Sequence, residues 1–197
     1  HQTAGICFDQ SFYLDPQTRI RNDVIMRRVL HQRYGELGLG EPNPQPRPVI
    51  GSLYVAGGFV IPALLGAEIC FAPDAAPQPR PLHLKPEQIE QLKKPDFCQT
   101  WPMAELIAQM DALESEWGYL TGDLNTDGLL NAAYHLYGAD LFVDFHHAPQ
   151  RVTYLLELIA ELIVDVATYI RERTGSCSIS VNRMVEHIDP GCFLHAN

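Results

Sequence analysis

Short apolar runs of strand length alternate along this chain with longer stretches whose apolar residues recur every three or four positions, and that alternation leaves few architectures open. From Arg21 to Leu37, the residues Val24, Ile25, Val29, Leu30, Tyr34 and Leu37 predict a helix with an apolar side, started by Asn22 and Asp23 and ended before Gly38 and Gly40. Pro42, Pro44, Pro46 and Pro48 then forbid helix and predict a stiff extended connector. Val49 to Tyr54 reads as a buried strand and Ala56-Gly57-Gly58 as a turn where backbone bends or is closely approached. Glu68 to Phe71 is a second short strand, followed by a proline-rich segment from Pro73 to Pro81. Lys85-Pro86-Glu87 opens a short helix closed by Pro95, and Pro102 opens another. In that second helix Met103, Leu106, Ile107, Met110, Leu113 and Trp117 form one stripe of core lining, ended by Gly118. Tyr119 to Leu124 is predicted as strand, Asp127 to Tyr137 as helix, and Pro149 to Arg173 as the longest helix, stopped at Gly175. Ser176 to Val181 and Gly191 to Ala196 read as further extended segments.

This order predicts an α/β protein with a largely parallel sheet. Four or five strands make an open doubly wound sheet, or about half of a (β/α)8 barrel, since such barrels need roughly 250 residues. The chain begins at His1 and stops in the apolar run Cys192-Phe-Leu-His-Ala-Asn197, which predicts a fragment and favours the partial barrel. The whole of 1–197 is read as a single domain, with a helical and proline-rich segment at 1–48 and β/α units from 49 onward.

Of the 197 residues, 46% are hydrophobic, enough for a sizeable core. Fourteen Lys and Arg against 24 Asp and Glu give a formal charge of -10, which argues against nucleic acid or an anionic membrane as a partner of the whole surface. Five well-separated cysteines with no C-x-x-C pair fit reduced thiols in a cytoplasmic protein. No secretory signal stands out, and Glu157, Glu161 and Asp165 interrupt the most apolar window, so no membrane span is predicted.

The sharpest local pattern is Asp123-Leu-Asn125-Thr-Asp127-Gly128-Leu-Leu130, which carries oxygen ligands and the turn glycine of a calcium loop. It lacks the carboxylate required at the twelfth position, where Tyr134 stands. The preferred reading is a strand-to-helix loop in which Asp123 and Asn125 leave the strand end and Asp127 caps the next helix. His146 and His147, as neighbours on a helix, diverge by about 100 degrees and suit a helix C-terminus better than a shared metal. His195, with Ala196 and Asn197 after an apolar run, stands at a predicted carboxyl edge of the sheet, where ligands bind in α/β folds. His187, with Glu186 and Asp189, reads as solvated loop charge near it. Dinucleotide, P-loop, serine-hydrolase and H-E-x-x-H motifs are missing. Cys70 and Cys192 sit in apolar runs and read as small hydrophobes.

The order of segments resembles the N-terminal half of the uroporphyrinogen decarboxylase superfamily, which includes methyltransferases acting between corrinoid proteins and thiols. The carriers are Arg47-Pro48-Val49-Ile50 leading to Ala56-Gly57, then Leu65-Gly66-Ala67-Glu68-Ile69-Cys70-Phe71 with Asp74. Further on come Tyr119-Leu120-Thr121-Gly122, Leu129-Leu130-Asn131-Ala132-Ala133, Leu136-Tyr137-Gly138-Ala139-Asp140-Leu141-Phe142, and the long helix after Ala148-Pro149. The resemblance implies a (β/α)8 barrel with its pocket at the C-terminal rim of the strands. It implies Asp74, Asp123 and His195 as catalytic residues, and Tyr54, Gly57, Gly58, Asn125 and Asn197 as substrate-binding ones. Decarboxylases of the family place arginines where Tyr54 and Gly58 stand here, and a tetrapyrrole rich in carboxylates needs such cations. The methyltransferase branch is therefore the expected one, with a tetrapyrrole carboxy-lyase as the alternative within the family. That branch implies zinc, with ligands beyond residue 197, a corrinoid (cobalamin) as substrate or partner-bound cofactor, and a small thiol as acceptor. A calcium-binding module and a catalytically inert barrel subunit of a larger complex are the competing expectations from other classes, and pairing with a second copy is left open.

Overall fold

The structure, a computed structural model, describes residues 4–7, 9–50, 58–72, 75–122, 124, 126 and 128–175. The chain opens with two helices, each started by an aspartate. Asp9 accepts hydrogen bonds from the amides of Ser11 and Phe12 at the head of α1 (Gln10–Leu14). Asp15 does the same for Gln17 and Thr18 at the head of α2 (Pro16–Tyr34), where Pro16 loses nothing by lacking an N–H. Helix α2 thus begins earlier than the predicted Arg21, and Asn22 and Asp23 lie inside it rather than at its start. A 3-10 turn, Gly35–Leu37, follows, and Gly38 ends it at φ 77, a left-handed conformation that glycine takes without steric cost.

The burial of α2 inverts the sequence expectation. Its apolar residues Val24, Val29 and Leu30 are half-buried and Tyr34 is exposed, as is Leu37 in the turn beyond it, whereas Arg19, Asp23 and Arg27 are buried beside Ile20. The charges are inside because they meet one another and the proline-rich segment. Arg27 donates to Asp23 at 2.8 Å, to Glu41 at 2.7 Å and to the Gln45 carbonyl at 2.6 Å. Arg47 closes on Asp23 at 2.9 and 3.0 Å. Arg19 donates to the carbonyls of Tyr13 (2.7 Å) and Val49 (3.4 Å) and to the side-chain oxygen of Gln109 (2.8 Å). The segment from Glu41 to Pro48 is therefore extended as predicted, but strapped along α2 rather than running free.

Beyond the strap, Val49 forms a parallel bridge with Thr121, through Ile50 N to Thr121 O (3.0 Å) and Thr121 N to Pro48 O (3.1 Å). Parallel pairing requires a crossover connection, and the intervening chain supplies one that contains helices. Within the described residues the strand predicted at Tyr119 to Leu124 contracts to this bridge. The regular sheet is instead antiparallel: β1 (Ile69–Ala72) pairs with β2 (Ala75–Pro79) in the register Ile69 to Pro79 and Cys70 to Gln78. The sequence gives β2 as a proline-rich connector. Prolines fit a two-stranded hairpin because every strand is an edge, so a missing N–H breaks no interior ladder.

The helices between and after these strands build the main core. They are α3 (Val60–Leu64), α4 (Pro86–Gln91), α5 (Met103–Trp117), α6 (Leu129–Tyr137), α7 (Asp140–His147) and α8 (Pro149–Thr174). Helix α8 packs against α3, α4, α6 and α7 and buries Val152, Leu155, Leu158, Ile159, Leu162, Val166 and Ile170 on one stripe. Each such burial contributes about 1.5–3 kcal/mol. The α5 stripe buries Met103, Leu106, Met110 and Leu113 into the same core, as its spacing predicts. Gly128, rather than Asp127, occupies the N-cap position of α6. Among the described residues no helix is long and apolar enough to cross a membrane. The fold seen is a helix-rich α and β mixture.

Candidate functional site

The strap fixes a direction. Starting from the C-terminal part of α2, Arg27 meets Gln45, Asp23 meets Arg47 and Arg19 meets Val49. Each turn back toward the helix N-terminus advances about two residues along the extended segment, so α2 runs antiparallel to it. Because the Val49 and Thr121 segments are parallel, both chains leave their bridge in the same direction. That direction is the carboxyl side, where α/β proteins place ligands.

The residues expected at that edge are distributed as follows. Gly58 is half-buried in the turn that leads through Phe59 into α3. Tyr54, Gly57, Asp74, Asp123, Asn125, His195 and Asn197 lie outside the described residues. So do Asp127, His187 and Cys192. The described neighbours of Asp123 and Asn125 are Gly122, buried Leu124 and half-buried Thr126.

Tyr134, at the twelfth position of the calcium-like pattern, is half-exposed on α6 with its ring 5.9 Å from that of Phe142, and a phenol supplies no bidentate carboxylate. His146 and His147 do occupy the last turn of α7, but their rings meet edge to face at 5.2 Å rather than pointing apart. Cys70 lies in β1 yet is exposed, with an Arg80 nitrogen 3.9 Å from its sulfur, so it is not the buried small hydrophobe that its apolar context suggests. Among the described residues no group of three or more His, Cys, Asp or Glu side chains could hold a metal ion.

The group that sequence reasoning missed is aromatic. Tyr13 on α1 lies among Phe12 (5.1 Å between ring centroids), Phe59 (5.9 Å) and Phe71 (5.9 Å). Phe59 in turn stacks on the partly exposed Trp101 at 6.5 Å and 26°. Tyr13 is only 3% exposed, and among the described residues its hydroxyl has no hydrogen-bond partner. Burial pushes its ionisation well above the ordinary phenol range, so the O–H stays a donor. Burial also pushes the neighbouring Arg19 guanidinium down to about 10, although its nitrogens are met by neutral oxygens. The signal available in the sequence was a Phe-Tyr pair between two helix-starting aspartates.

A second polar cluster joins α6, α7 and α8. The Tyr137 hydroxyl donates to Asp144, which also accepts from Arg151 at 2.6 Å, while Arg151 holds Glu90 of α4. The Tyr137 hydrogen bond, followed by that of Arg151, holds Asp144 below its ordinary range. These groups are spent on each other and serve as a clamp between helices.

No family model matches this chain, and no curated protein matches it either. It is similar to the solved structure of a methyltransferase from Methanosarcina mazei, at 13% identity and a TM-score of 0.49, over 85% of this chain and 50% of that one. The chain thus spans about half the length of that methyltransferase.

Proposed function

We propose that this chain forms the first part of a (β/α)8 barrel of the uroporphyrinogen decarboxylase type and works as a corrinoid-linked methyltransferase that moves a methyl group to a small thiol. The observation that carries the reading is the parallel Val49–Thr121 pair with helices in its crossover, which is how β/α barrels are built. The segment order of the resemblance supports it. In this reading Tyr54, Gly57, Gly58, Asn125 and Asn197 line the substrate, and Asp74, Asp123 and His195 act on it.

The reaction is a displacement. A thiolate sulfur attacks the methyl carbon of a methyl–cobalt bond, the S–C bond forms, and the electron pair of the breaking Co–C bond stays on the leaving corrinoid, whose cobalt goes from III to I. The thiol proton leaves to solvent. Zinc would lower the thiol pKa when bound, but the described residues offer it no ligand set, so thiol activation is assigned to none of them.

Preference for a corrinoid over a carboxylate-rich porphyrinogen is supported by how the arginines near the strand are used. Arg19, Arg27 and Arg47 all hold protein oxygens. The test mixes the purified protein with methylcobalamin, a small thiol and zinc, and follows the methylcobalamin spectrum. Loss of that spectrum with formation of the methyl thioether is expected. Release of carbon dioxide from uroporphyrinogen, with no methyl transfer, would replace this reading by the carboxy-lyase one.

A further inference from the structure

Helix α7 buries Leu141, while its other large apolar side chains, Phe142, Val143 and Phe145, stand out from it at 58%, 55% and 46% exposure. Exposed Tyr134 and Leu130 of α6 continue the patch: the Tyr134 and Phe142 rings lie 5.9 Å apart, and Leu130 is one turn before Tyr134 on the same side of its helix. A contiguous aromatic patch facing water marks an interaction surface. Its electrostatics differ from those of the chain as a whole. The chain carries a formal charge of -10, yet residues 129–148 hold no Lys or Arg and two carboxylates. Asp144 is turned inward onto Tyr137 and Arg151, which leaves Asp140 as the exposed carboxylate of α7. Val164 of α8 is as exposed, at 61%, but it stands beside Glu161 and Asp165, both paired with Lys94.

We infer that this patch pairs with the same patch on a second copy of the chain, with α7 lying antiparallel on α7 about a two-fold axis. The ends of the helix choose the occupant. Residues seven apart on a helix stand two turns along and within about 20° of one side, so Asp140 and His147 share a flank at opposite ends of α7. A two-fold axis in the contact plane keeps each flank on its own side and exchanges the ends, so Asp140 of each copy comes level with the partner's His147. The acidic start of one helix thus meets the imidazole end of the other, and the antiparallel helix dipoles attract. Phe142 and Val143, near the middle of α7, fall at the crossing. A parallel pair would set Asp140 against its own copy, and a strongly basic partner would find one carboxylate to hold, so the charge pattern fits a copy of itself. This pairing goes beyond the methyltransferase reading and does not depend on it.

The test is sedimentation of the whole protein from low to several hundred micromolar, because an interface built round a helix about 12 Å long lies at the small, weak end of the stable range. Wild type is expected to be a dimer at the upper concentrations and to dissociate on dilution. Phe142→Glu sets like charges against each other at the crossing and should weaken pairing at least about tenfold, and Val143→Glu should act alike. Both side chains are exposed, so the circular dichroism spectrum should stay that of wild type. Asp140→Lys, which removes the carboxylate facing the partner's His147, should weaken pairing about threefold. Val164→Glu, outside the patch, should leave it unchanged. Wild type that stays monomeric at several hundred micromolar overturns the inference, and the patch then belongs to a different partner. A dimer that survives both Phe142→Glu and Val143→Glu, or that Val164→Glu dissolves equally well, overturns it by placing the contact elsewhere. Unchanged pairing in Asp140→Lys would overturn the antiparallel placement.

Discussion

Two long helices of this chain are held by opposite physics. Helix α2 buries Arg19, Asp23 and Arg27 and leaves Tyr34 exposed, whereas α8 buries seven apolar side chains on one stripe and keeps its charges on the outside. Burying ions gains little net stability, since desolvation consumes most of the Coulomb attraction. It does fix position, because each guanidinium accepts only a few directions of approach. Apolar burial stabilises strongly but tolerates sliding. The difference teaches that α8 supplies the stability of the main core, while α2 sets where the extended segment enters the Val49–Thr121 pair and hence where any site at its carboxyl end lies.

Removing Asp23 should have the largest effect. Asp23→Asn leaves Arg27, with 5% side-chain exposure, facing Arg47 without the anion between them. Breaking a buried pair this way costs about 3–5 kcal/mol, to be read from denaturant unfolding. A loss below 1 kcal/mol would mean that the strap is a surface network and that α2 resembles an ordinary solvated helix. In α8, Ile159→Ala should cost about 2–5 kcal/mol through lost burial and the cavity left behind. The two costs should differ in kind. The Asp23 effect is electrostatic and changes with salt, and the Ile159 effect does not.

Much of this contrast was legible beforehand on the apolar side and little of it on the polar side. The α5 and α8 stripes are long enough for a period near 3.6 to show, and prolines and glycines punctuate their ends. Helices α1 and α3 have five residues each, too few for any period, so only tertiary packing defines them. Strand β2 hides behind its prolines. The sequence marks only an apolar side of α2, because it does not show that Glu41, Arg47 and the Gln45 carbonyl fold back onto the charges of the helix. The same blindness concealed Tyr13, whose burial comes from Phe59 and Phe71, more than forty positions away.

The helix starts sharpen the comparison at a smaller scale. Asp15→Ala removes the acceptor for the amides of Gln17 and Thr18 and should cost about 1 kcal/mol. Its hydrogen bond to Thr18, chiefly, holds the Asp15 carboxyl below the ordinary 3.8. A depressed carboxyl contributes stability that is complete above the unfolded value and is lost as pH falls through the folded one. The gap between wild type and Asp15→Ala should therefore be constant near neutrality and close below about pH 4. A gap that persists at pH 2 would mean the cap acts through something other than the ionised carboxylate.

The smallest effect belongs to the outer face of α8, where Lys94 reaches Glu161 at 3.1 Å and Asp165 at 3.0 Å. By count these pairs equal the two that Asp23 makes, so a tally of ion pairs would rank the two sites together. Physically they are unlike. Lys94 keeps 39% side-chain exposure and both carboxylates are at least as open, so water and salt screen the attraction, and ordering three long side chains opposes it. Lys94→Met should leave the melting temperature unchanged at physiological ionic strength, with a slight loss appearing only in dilute buffer. If it instead destabilised the protein as much as Asp23→Asn, exposure would not be what separates the two helices. The division between a helix that positions and a helix that stabilises would then have to be drawn on other grounds.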